Sequence, residues 1–114
     1  MHELGIIVHV AKTLKHVALQ ENVSKIGSVT LEIGEVSGIV ESYLTDCWEY
    51  YRKKDELIED SKLIIEKIEA VTYCDDCEKT YPTVQYGRQC PYCKGYNTRL
   101  AVGNECNIKE IEAC

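Results

Sequence analysis

The stretch CDDCEKTYPTVQYGRQCPYC, residues 74–93, decides how this chain folds. It contains two C-x-x-C pairs that are separated by 12 residues. A two-residue gap lets a tight turn direct both sulfurs at one ion, and two such pairs supply four thiolates at about 2.3 Å around a tetrahedral Zn²⁺. We therefore predict one structural zinc site, with Cys74, Cys77, Cys90 and Cys93 as its ligands.

Two other uses of these cysteines stay open. A four-thiolate set can hold iron for electron transfer, as rubredoxin-like sites do. CPYC (90–93), taken alone, is similar to the glutaredoxin active-site tetrapeptide, but that motif lies between a strand and a helix of a βαβ unit. Here KGYN (94–97) follows it and is typical of a turn. Because Pro91 restricts the second pair and Gly95 permits the turn after it, we favour the structural zinc site.

Residues 71–100 differ in composition from the rest of the chain. They contain both prolines and five of the eight tyrosines, but few aliphatic residues. Such a segment cannot bury a hydrophobic core of useful size, so we expect it to need a metal ion to fold. We predict that it forms a zinc ribbon inserted between two strands.

The flanking segments have the periodicity of an α+β fold. Residues 3–22 and 41–54 carry apolar side chains at helical spacing, and SVTLEIG (28–34) alternates as a half-buried strand does. We predict two helices on one face of a small three-stranded sheet, whose strands are 28–36, 61–70 and 102–112. The first apolar stripe includes Leu4, Ile7, Val8, Ala11, Leu14, Lys15 and Ala18. The second consists of Tyr43, Leu44, Cys47, Trp48 and Tyr51, with Ser42 as the predicted cap.

Charge and cysteine usage narrow the class of protein. The formal net charge is −6, which argues against a surface that neutralises nucleic-acid phosphates. The seven cysteines are an odd number, and MHELGIIVHVAKTLKHV at the start lacks the features of a secretory signal. No apolar run approaches the length of a membrane span. We expect a cytoplasmic protein with reduced thiols that binds neither nucleic acid nor membrane.

We expect no metal-binding or catalytic role for the remaining cysteines and histidines. We expect Cys47 and Cys106 to fill the core, and Cys114 to be exposed as the last residue. His9 and His16 are seven residues apart, which is about 10 Å along a helix, so they cannot share one ion within the chain. We expect both to be solvated or partly buried residues of the first helix. Glu35 in GEVSG could contact a partner, but a solvated acid at the end of a strand is an equal alternative.

The first three residues, Met1, His2 and Glu3, can form a second metal site. A histidine beside a free amino terminus offers its imidazole, its own backbone nitrogen and the terminal amine to one ion. The backbone nitrogen of Glu3 completes a planar set of four, a geometry that suits Ni²⁺ or Cu²⁺. From these residues alone, an ordinary exposed terminus is the simpler interpretation.

Four motifs taken together change that interpretation. MHEL begins the chain, LEIGEVSG ends the first strand, the paired C-x-x-C motifs follow, and GNE with KEIE lies near the end. In this order they resemble the HypA/HybF family of hydrogenase maturation factors over essentially the whole chain. Members of that family often have Ser where this chain has Gly5, a change that removes no expected ligand.

The resemblance implies a function and a set of site residues. The chain would be a nickel metallochaperone for [NiFe]-hydrogenase, with nickel held by Met1, His2 and Glu3. Zinc would be held by the four cysteines. The nickel-binding domain would consist of residues 1–70 and 101–114, and the zinc-binding domain of residues 71–100. The implied partners are the hydrogenase large subunit and a GTPase accessory protein that assists nickel delivery, and some members also serve urease.

Two other classes of function remain as alternatives. The first is a zinc-ribbon adaptor without a transferable metal, and the second is a redox carrier of the rubredoxin or thiol type. We expect no catalytic residues, because the sequence contains no identifiable nucleophile–base or carboxylate pair. The sequence leaves open whether the chain is a monomer or a homodimer.

Overall fold

The computed structural model describes residues 3–113; Met1, His2 and Cys114 lie outside the described residues. Three helices and six strands form the described part of the chain. In chain order they are α1 (Glu3–Glu21), β1 (Ile26–Gly34), α2 (Glu41–Arg52), β2 (Lys62–Ile68), β3 (Val71–Cys74), β4 (Thr80–Pro82), α3 (Thr83–Tyr86), β5 (Thr98–Val102) and β6 (Cys106–Ala113).

The strands form two three-stranded sheets, in the orders β2-β1-β6 and β4-β3-β5. The first sheet contains the three predicted strands, and the predicted α+β fold with an inserted cysteine segment is confirmed. The predicted strand 102–112 is wrong at its start, because Val102 ends β5 of the second sheet. The next residue, Gly103, ends the extended strand because it has φ of 121°, a conformation that few residues other than glycine adopt. The last strand of the first sheet therefore begins at Cys106.

The core between the helices and the first sheet is aliphatic, with one tryptophan. Ile7 and Leu14 of α1, Leu44 and Trp48 of α2, and Val29 of β1 are at most 1% exposed. The Trp48 indole Nε1–H donates to the carbonyl of Ser61 at 3.1 Å, so its one polar group is paired. Burying such side chains stabilises the fold by about 1.5–3 kcal/mol each.

Three details of the two helices differ from prediction. Leu4 is 46% exposed and Tyr43 is 60% exposed, so neither belongs to the buried stripe of its helix. Ser42 does not cap α2, because the helix begins one residue earlier, at Glu41. The N-cap is Val40, whose side chain has no acceptor and makes no capping bond. Val40 is extended, with φ of −90° and ψ of 110°.

The described chain divides into two compact units. The first comprises residues up to 31, residues 39–66 and residues from 107 onward; the second comprises 32–38 and 67–106. The predicted assignment of nickel to residues 1–70 with 101–114, and of zinc to 71–100, concerns function and stays a prediction.

Within the second unit, the GEVSG segment holds two other parts of the chain. The N–H of Gly34 donates to the carbonyl of Glu105 at 2.8 Å, and Glu35 Oε1 accepts from the N–H of Ala70 at 2.9 Å. A Cβ on Gly34 would stand 2.0 Å from the carbonyl oxygen of Gly103, so only glycine fits there. The Glu35 carboxylate is therefore used inside the unit, although its residue is exposed.

Among the described helices, none combines the length and the apolar character that crossing a bilayer requires.

Candidate metal centre

The four cysteines of the two C-x-x-C pairs converge on one point of the second unit. Their sulfurs all lie within 4.8 Å of one another. Cys74 and Cys93 have sulfurs 3.6 Å apart, and Cys77 and Cys90 have sulfurs 3.5 Å apart. Four thiolates at about 2.3 Å from one tetrahedral ion stand roughly 3.8 Å from each other. The spacing therefore fits one ion at the centre of the set.

The two pairs are held by the same turn, used twice. In the first, the N–H of Glu78 donates to the carbonyl of Cys74 at 2.9 Å; in the second, the N–H of Lys94 donates to the carbonyl of Cys90 at the same distance. Glu78 has φ of 58° and Lys94 has φ of 64°. The left-handed residue is thus the one directly after each second cysteine. The prediction that Gly95 makes the second turn is wrong, because Lys94 makes it.

Gly95 has a different role in the second pair. A Cβ at that position would lie 3.2 Å from Asp76 Oδ2 and 3.4 Å from the Cys93 sulfur. Its carbonyl accepts the N–H of Cys90 at 3.0 Å. Glycine therefore lets the backbone approach the thiol set closely.

The thiols themselves form most of a small core. Cys74 and Cys90 are fully buried and pack with Tyr81, which is 2% exposed, while Cys77 lies partly buried beside them. The Tyr81 hydroxyl donates to the carbonyl of Gly87 at 2.9 Å, which satisfies its polar end. A core of one ring and a few sulfurs is too small to hold a segment of this length, so the composition argument for a metal agrees with the packing.

Polar residues around the cysteines connect the two turns. The N–H of Asp75 donates to the carbonyl of Asn97 at 2.9 Å, and Asn97 Nδ2 donates to Asp76 Oδ1 at 3.1 Å. Arg99 pairs with Asp75 at 3.3 Å and places its guanidinium over the ring of Tyr73. These contacts join residues beside the first cysteine pair to residues that follow the second.

The pKa values of the Cys77 and Cys90 thiols are shifted in opposite directions. Burial, together with hydrogen bonds with the Cys90 and Cys74 thiols, raises the pKa of Cys77 to about 12. Burial also acts to raise the pKa of Cys90, but the backbone N–H groups of Cys93 and Tyr92 stabilise its thiolate. The pKa of Cys90 is therefore lowered to about 7. At neutral pH a metal ion would meet a Cys90 thiol that is about half ionised and would displace the proton that Cys77 retains.

This arrangement could hold a soft or borderline metal ion. Thiolates select zinc, copper(I) or iron, and a tetrahedral set of four is typical of zinc and of iron–sulfur sites. Cys74 and Cys90 are closed off from solvent, whereas Cys93 is exposed. Four protein ligands leave no open position for a substrate, which is the pattern of structural sites rather than catalytic ones.

Of the predicted nickel residues, the structure describes Glu3. It is the first residue of α1 and is 5% exposed. Its Oε2 accepts the N–H of Val40 at 3.1 Å. Met1 and His2 lie outside the described residues, so their assignment stays a prediction.

The other candidate residues occupy simple positions. His9 and His16 are both exposed on α1, in agreement with the expectation of solvated residues. Cys47 is half-buried on α2. Cys106 is exposed, so the prediction that it fills the core is wrong. Sequence reasoning missed Tyr81 as a core residue. It is the buried middle residue of the short strand β4, between the exposed Thr80 and Pro82.

Comparison with known proteins agrees with this architecture. Residues 1–113 match the family model described as hydrogenase/urease nickel incorporation, metallochaperone, hypA. The hydrogenase maturation factor HypA of Geobacter metallireducens is 35% identical over 112 residues, which are 98% of each chain. That of Dehalococcoides mccartyi is 34% identical over 98% of this chain and 93% of its own.

Solved structures share the fold. The solution structure of the Ni metallochaperone HypA from Helicobacter pylori superimposes with a TM-score of 0.74 at 24% identity, over 99% of this chain and 97% of its own. A second solution structure of a HypA protein gives a TM-score of 0.77 at 25% identity, over 100% and 97%. The chain thus belongs to the HypA family of metallochaperones for nickel incorporation into hydrogenase and urease.

Proposed function

We propose that this protein binds Ni²⁺ at its amino terminus and delivers it to the large subunit of a [NiFe]-hydrogenase during maturation. The observation that carries the proposal is the family match over residues 1–113, which includes both Met1-His2-Glu3 and the four cysteines. The protein acts as a carrier and not as a catalyst. Nickel is its cargo.

The nickel would be held by nitrogen atoms of Met1, His2 and Glu3. The contact of Glu3 with Val40 supports this choice of atoms. A carboxylate oxygen that already accepts a backbone N–H at 3.1 Å loses that bond if it turns to an ion. Glu3 would therefore contribute its backbone nitrogen, beside the terminal amine, the His2 nitrogen and the imidazole.

The four cysteines would hold Zn²⁺ as a structural ion. The donor set consists of four sulfurs, and within the described part of the chain the small core that contains them has only Tyr81 besides the thiols. The ion would supply folding free energy, because the sites are assembled only in the folded segment. Residues 71–100 would then be the zinc-binding domain, with residues 1–70 and 101–114 as the nickel-binding domain.

The partners would be the hydrogenase large subunit and a GTPase accessory protein, with urease maturation proteins as a further possible client. Delivery of nickel during assembly of an enzyme would take place in the cytoplasm, where thiols stay reduced. The free amino terminus has to remain accessible to those partners.

The experiment is calorimetric titration of Ni²⁺ into untagged, zinc-loaded protein. The wild type would be compared with His2→Ala and with a form extended by two residues before Met1. Both changes should weaken nickel binding at least about tenfold, which is 1.4 kcal/mol, because one removes the imidazole and the other converts the terminal amine to an amide. His9→Ala is the matched control and should bind nickel as the wild type does. Equal nickel affinity in all four proteins would refute the proposal and favour a zinc-ribbon adaptor.

A further inference from the structure

A groove of about 420 Å³ lies within the second compact unit, apart from the cysteine sulfurs. Its walls come from β3, from β5, from the start of α3 and from the residues that follow that helix. Among the residues that line the groove are Val36, Thr72, Arg88, Tyr96, Thr98 and Leu100. None of these ligates the proposed zinc, and the proposed nickel site uses none of them.

Hydrogen bonds between hydroxyl groups and backbone fix the walls of the groove. Thr72 and Thr83 share a hydrogen bond of 2.6 Å between their hydroxyl oxygens, which joins β3 to the start of α3. The Thr98 hydroxyl donates to the carbonyl of Arg88 at 2.6 Å, which joins β5 to the segment after α3. The groove is therefore held open by the fold and does not depend on a ligand to form it.

Apolar and aromatic side chains line the groove and remain accessible. Tyr96 is 72% exposed, Leu100 is 40% exposed and Val36 is 38% exposed. Tyrosine and arginine are enriched among the residues that carry binding energy at protein interfaces. Exposed apolar side chains around a concave site are typical of a surface that a partner covers.

The charge of the groove is opposite to that of the protein. The chain has a formal net charge of −6, yet no Asp or Glu among the described residues 3–113 lines the groove. Two of its lining residues are arginines. The Arg99 guanidinium is engaged by Asp75 and Tyr73, whereas that of Arg88 forms no ion pair within residues 3–113. Arg88 is thus the cation that can meet an incoming anion.

We propose that this groove docks an extended segment of a protein partner that carries a carboxylate next to an apolar side chain. The carboxylate pairs with the guanidinium of Arg88, whose fork matches two oxygens at once. The apolar side chain packs against Leu100 and Val36. A nucleic acid fits less well, because one unpaired arginine on an acidic protein cannot neutralise a run of phosphates. The proposal is independent of nickel binding.

The test uses zinc-loaded full-length protein and three fluorescent peptides of seven residues. One alternates Glu with Val, the second alternates Gln with Val, and the third alternates Lys with Val. Fluorescence anisotropy measures binding to the wild type, Arg88→Glu, Leu100→Ser and Lys12→Glu. Lys12 is exposed on α1 in the first unit, so its variant has the same change of charge as Arg88→Glu outside the groove.

The expected result is saturable binding of the Glu–Val peptide, weaker binding of the Gln–Val peptide and none of the Lys–Val peptide. Arg88→Glu should weaken binding of the Glu–Val peptide roughly tenfold, and Leu100→Ser should weaken it severalfold. Lys12→Glu should bind that peptide within about twofold of the wild type. Zinc content and nickel affinity, measured on each variant, should be unchanged. Equal peptide binding by Arg88→Glu and Lys12→Glu would overturn the proposal, as would no binding to the wild type. Tighter binding of a single-stranded oligonucleotide to the same groove would also overturn it.

Discussion

The carboxylate of Glu3 accepts a hydrogen bond of 3.1 Å from the backbone N–H of Val40, which is 37 residues further along the chain. Val40 is the N-cap of α2 and has no acceptor on its own side chain. A negative charge beside a helix N-terminus also interacts favourably with the helix dipole. The first residue of α1 therefore accepts the N–H of the N-cap residue of α2, as a Glu at the third helical position does in a capping box.

The first prediction follows from that contact. Glu3→Ala should lower the free energy of unfolding by about 1 kcal/mol, the usual net contribution of a hydrogen bond, whereas Glu3→Gln keeps an acceptor and should lower it by about half as much. Urea unfolding followed by circular dichroism measures both. Glu56→Ala, at an exposed acid in the loop after α2, should change stability by less than about 0.5 kcal/mol. Nickel affinity in Glu3→Ala should stay within about threefold of the wild type, and a larger loss would identify the carboxylate as a ligand.

The second prediction concerns removal of the metal from the cysteine set. Cys74→Ser, or treatment with a strong chelator, should unfold residues 71–100 while α1, α2 and the β2-β1-β6 sheet persist. The reason is that the small core around Tyr81 consists mostly of the cysteines that we propose as ligands. Amide resonances in a ¹⁵N-correlated NMR spectrum would show which residues lose dispersion. Cys106→Ser, at an exposed cysteine, is the control and should leave the spectrum and the zinc content intact. Loss of both units together in Cys74→Ser would contradict this account.

The third prediction concerns the left-handed residue after each cysteine pair. Lys94 adopts φ of 64° although it has a Cβ. Lys94→Gly should therefore raise the free energy of unfolding by up to about 1 kcal/mol. Lys94→Val should lower it, because a β-branched residue is strained there. Thermal unfolding of the zinc-loaded forms measures both. Lys79→Gly, at an exposed site without positive φ, should destabilise the protein, and stabilisation by that control would mean that φ is not the cause.

The fourth prediction concerns protons released when zinc binds. At pH 7 the Cys90 thiol is about half ionised, since its pKa is lowered to about 7, whereas Cys77 keeps its proton because its pKa is raised to about 12. Zinc binding should therefore release more protons at pH 6 than at pH 8, where Cys90 has already lost its own. Calorimetry in buffers of different ionisation enthalpy counts them. A number that does not fall between pH 6 and pH 8 would show that Cys90 has an ordinary pKa in the apo protein.

Sequence reasoning succeeded where the signal was local. The four cysteines are two residues apart in each pair, and the strand from Val29 to Ile33 alternates, so both could be predicted from short windows. The contact of Glu3 with Val40 could not, because 37 residues separate the two and only the packing of α1 on α2 brings them together. Leu4 and Tyr43 were misplaced for a related reason. Helical periodicity identifies a stripe, but tertiary packing decides how far the buried part of that stripe extends.

The choice of Lys94 instead of Gly95 for the second turn has a different explanation. Glycine is the usual signal for positive φ, and Gly95 stands next to the position that needs it. In this turn, however, Gly95 is the residue that lies close to the cysteine set: a Cβ there would be 3.2 Å from Asp76 Oδ2 and 3.4 Å from the Cys93 sulfur. Hydrogen bonding across the cysteine pair then holds a lysine in the left-handed conformation. The first pair has Glu78 at the equivalent position, a regularity that sequence reasoning could have used.

The repeated turn has a consequence for the speed of metal capture. The turn of each cysteine pair is closed by a backbone hydrogen bond between residues four apart. Each turn can therefore form before the two pairs come together. A metal ion can thus be caught first by two sulfurs of one pair. The second pair then arrives by diffusion of the short chain between Cys77 and Cys90, and closing a loop of about ten residues takes on the order of 10–100 ns. At micromolar metal the encounter with the ion is far slower than that. The observed rate of metal loading should therefore increase linearly with metal concentration.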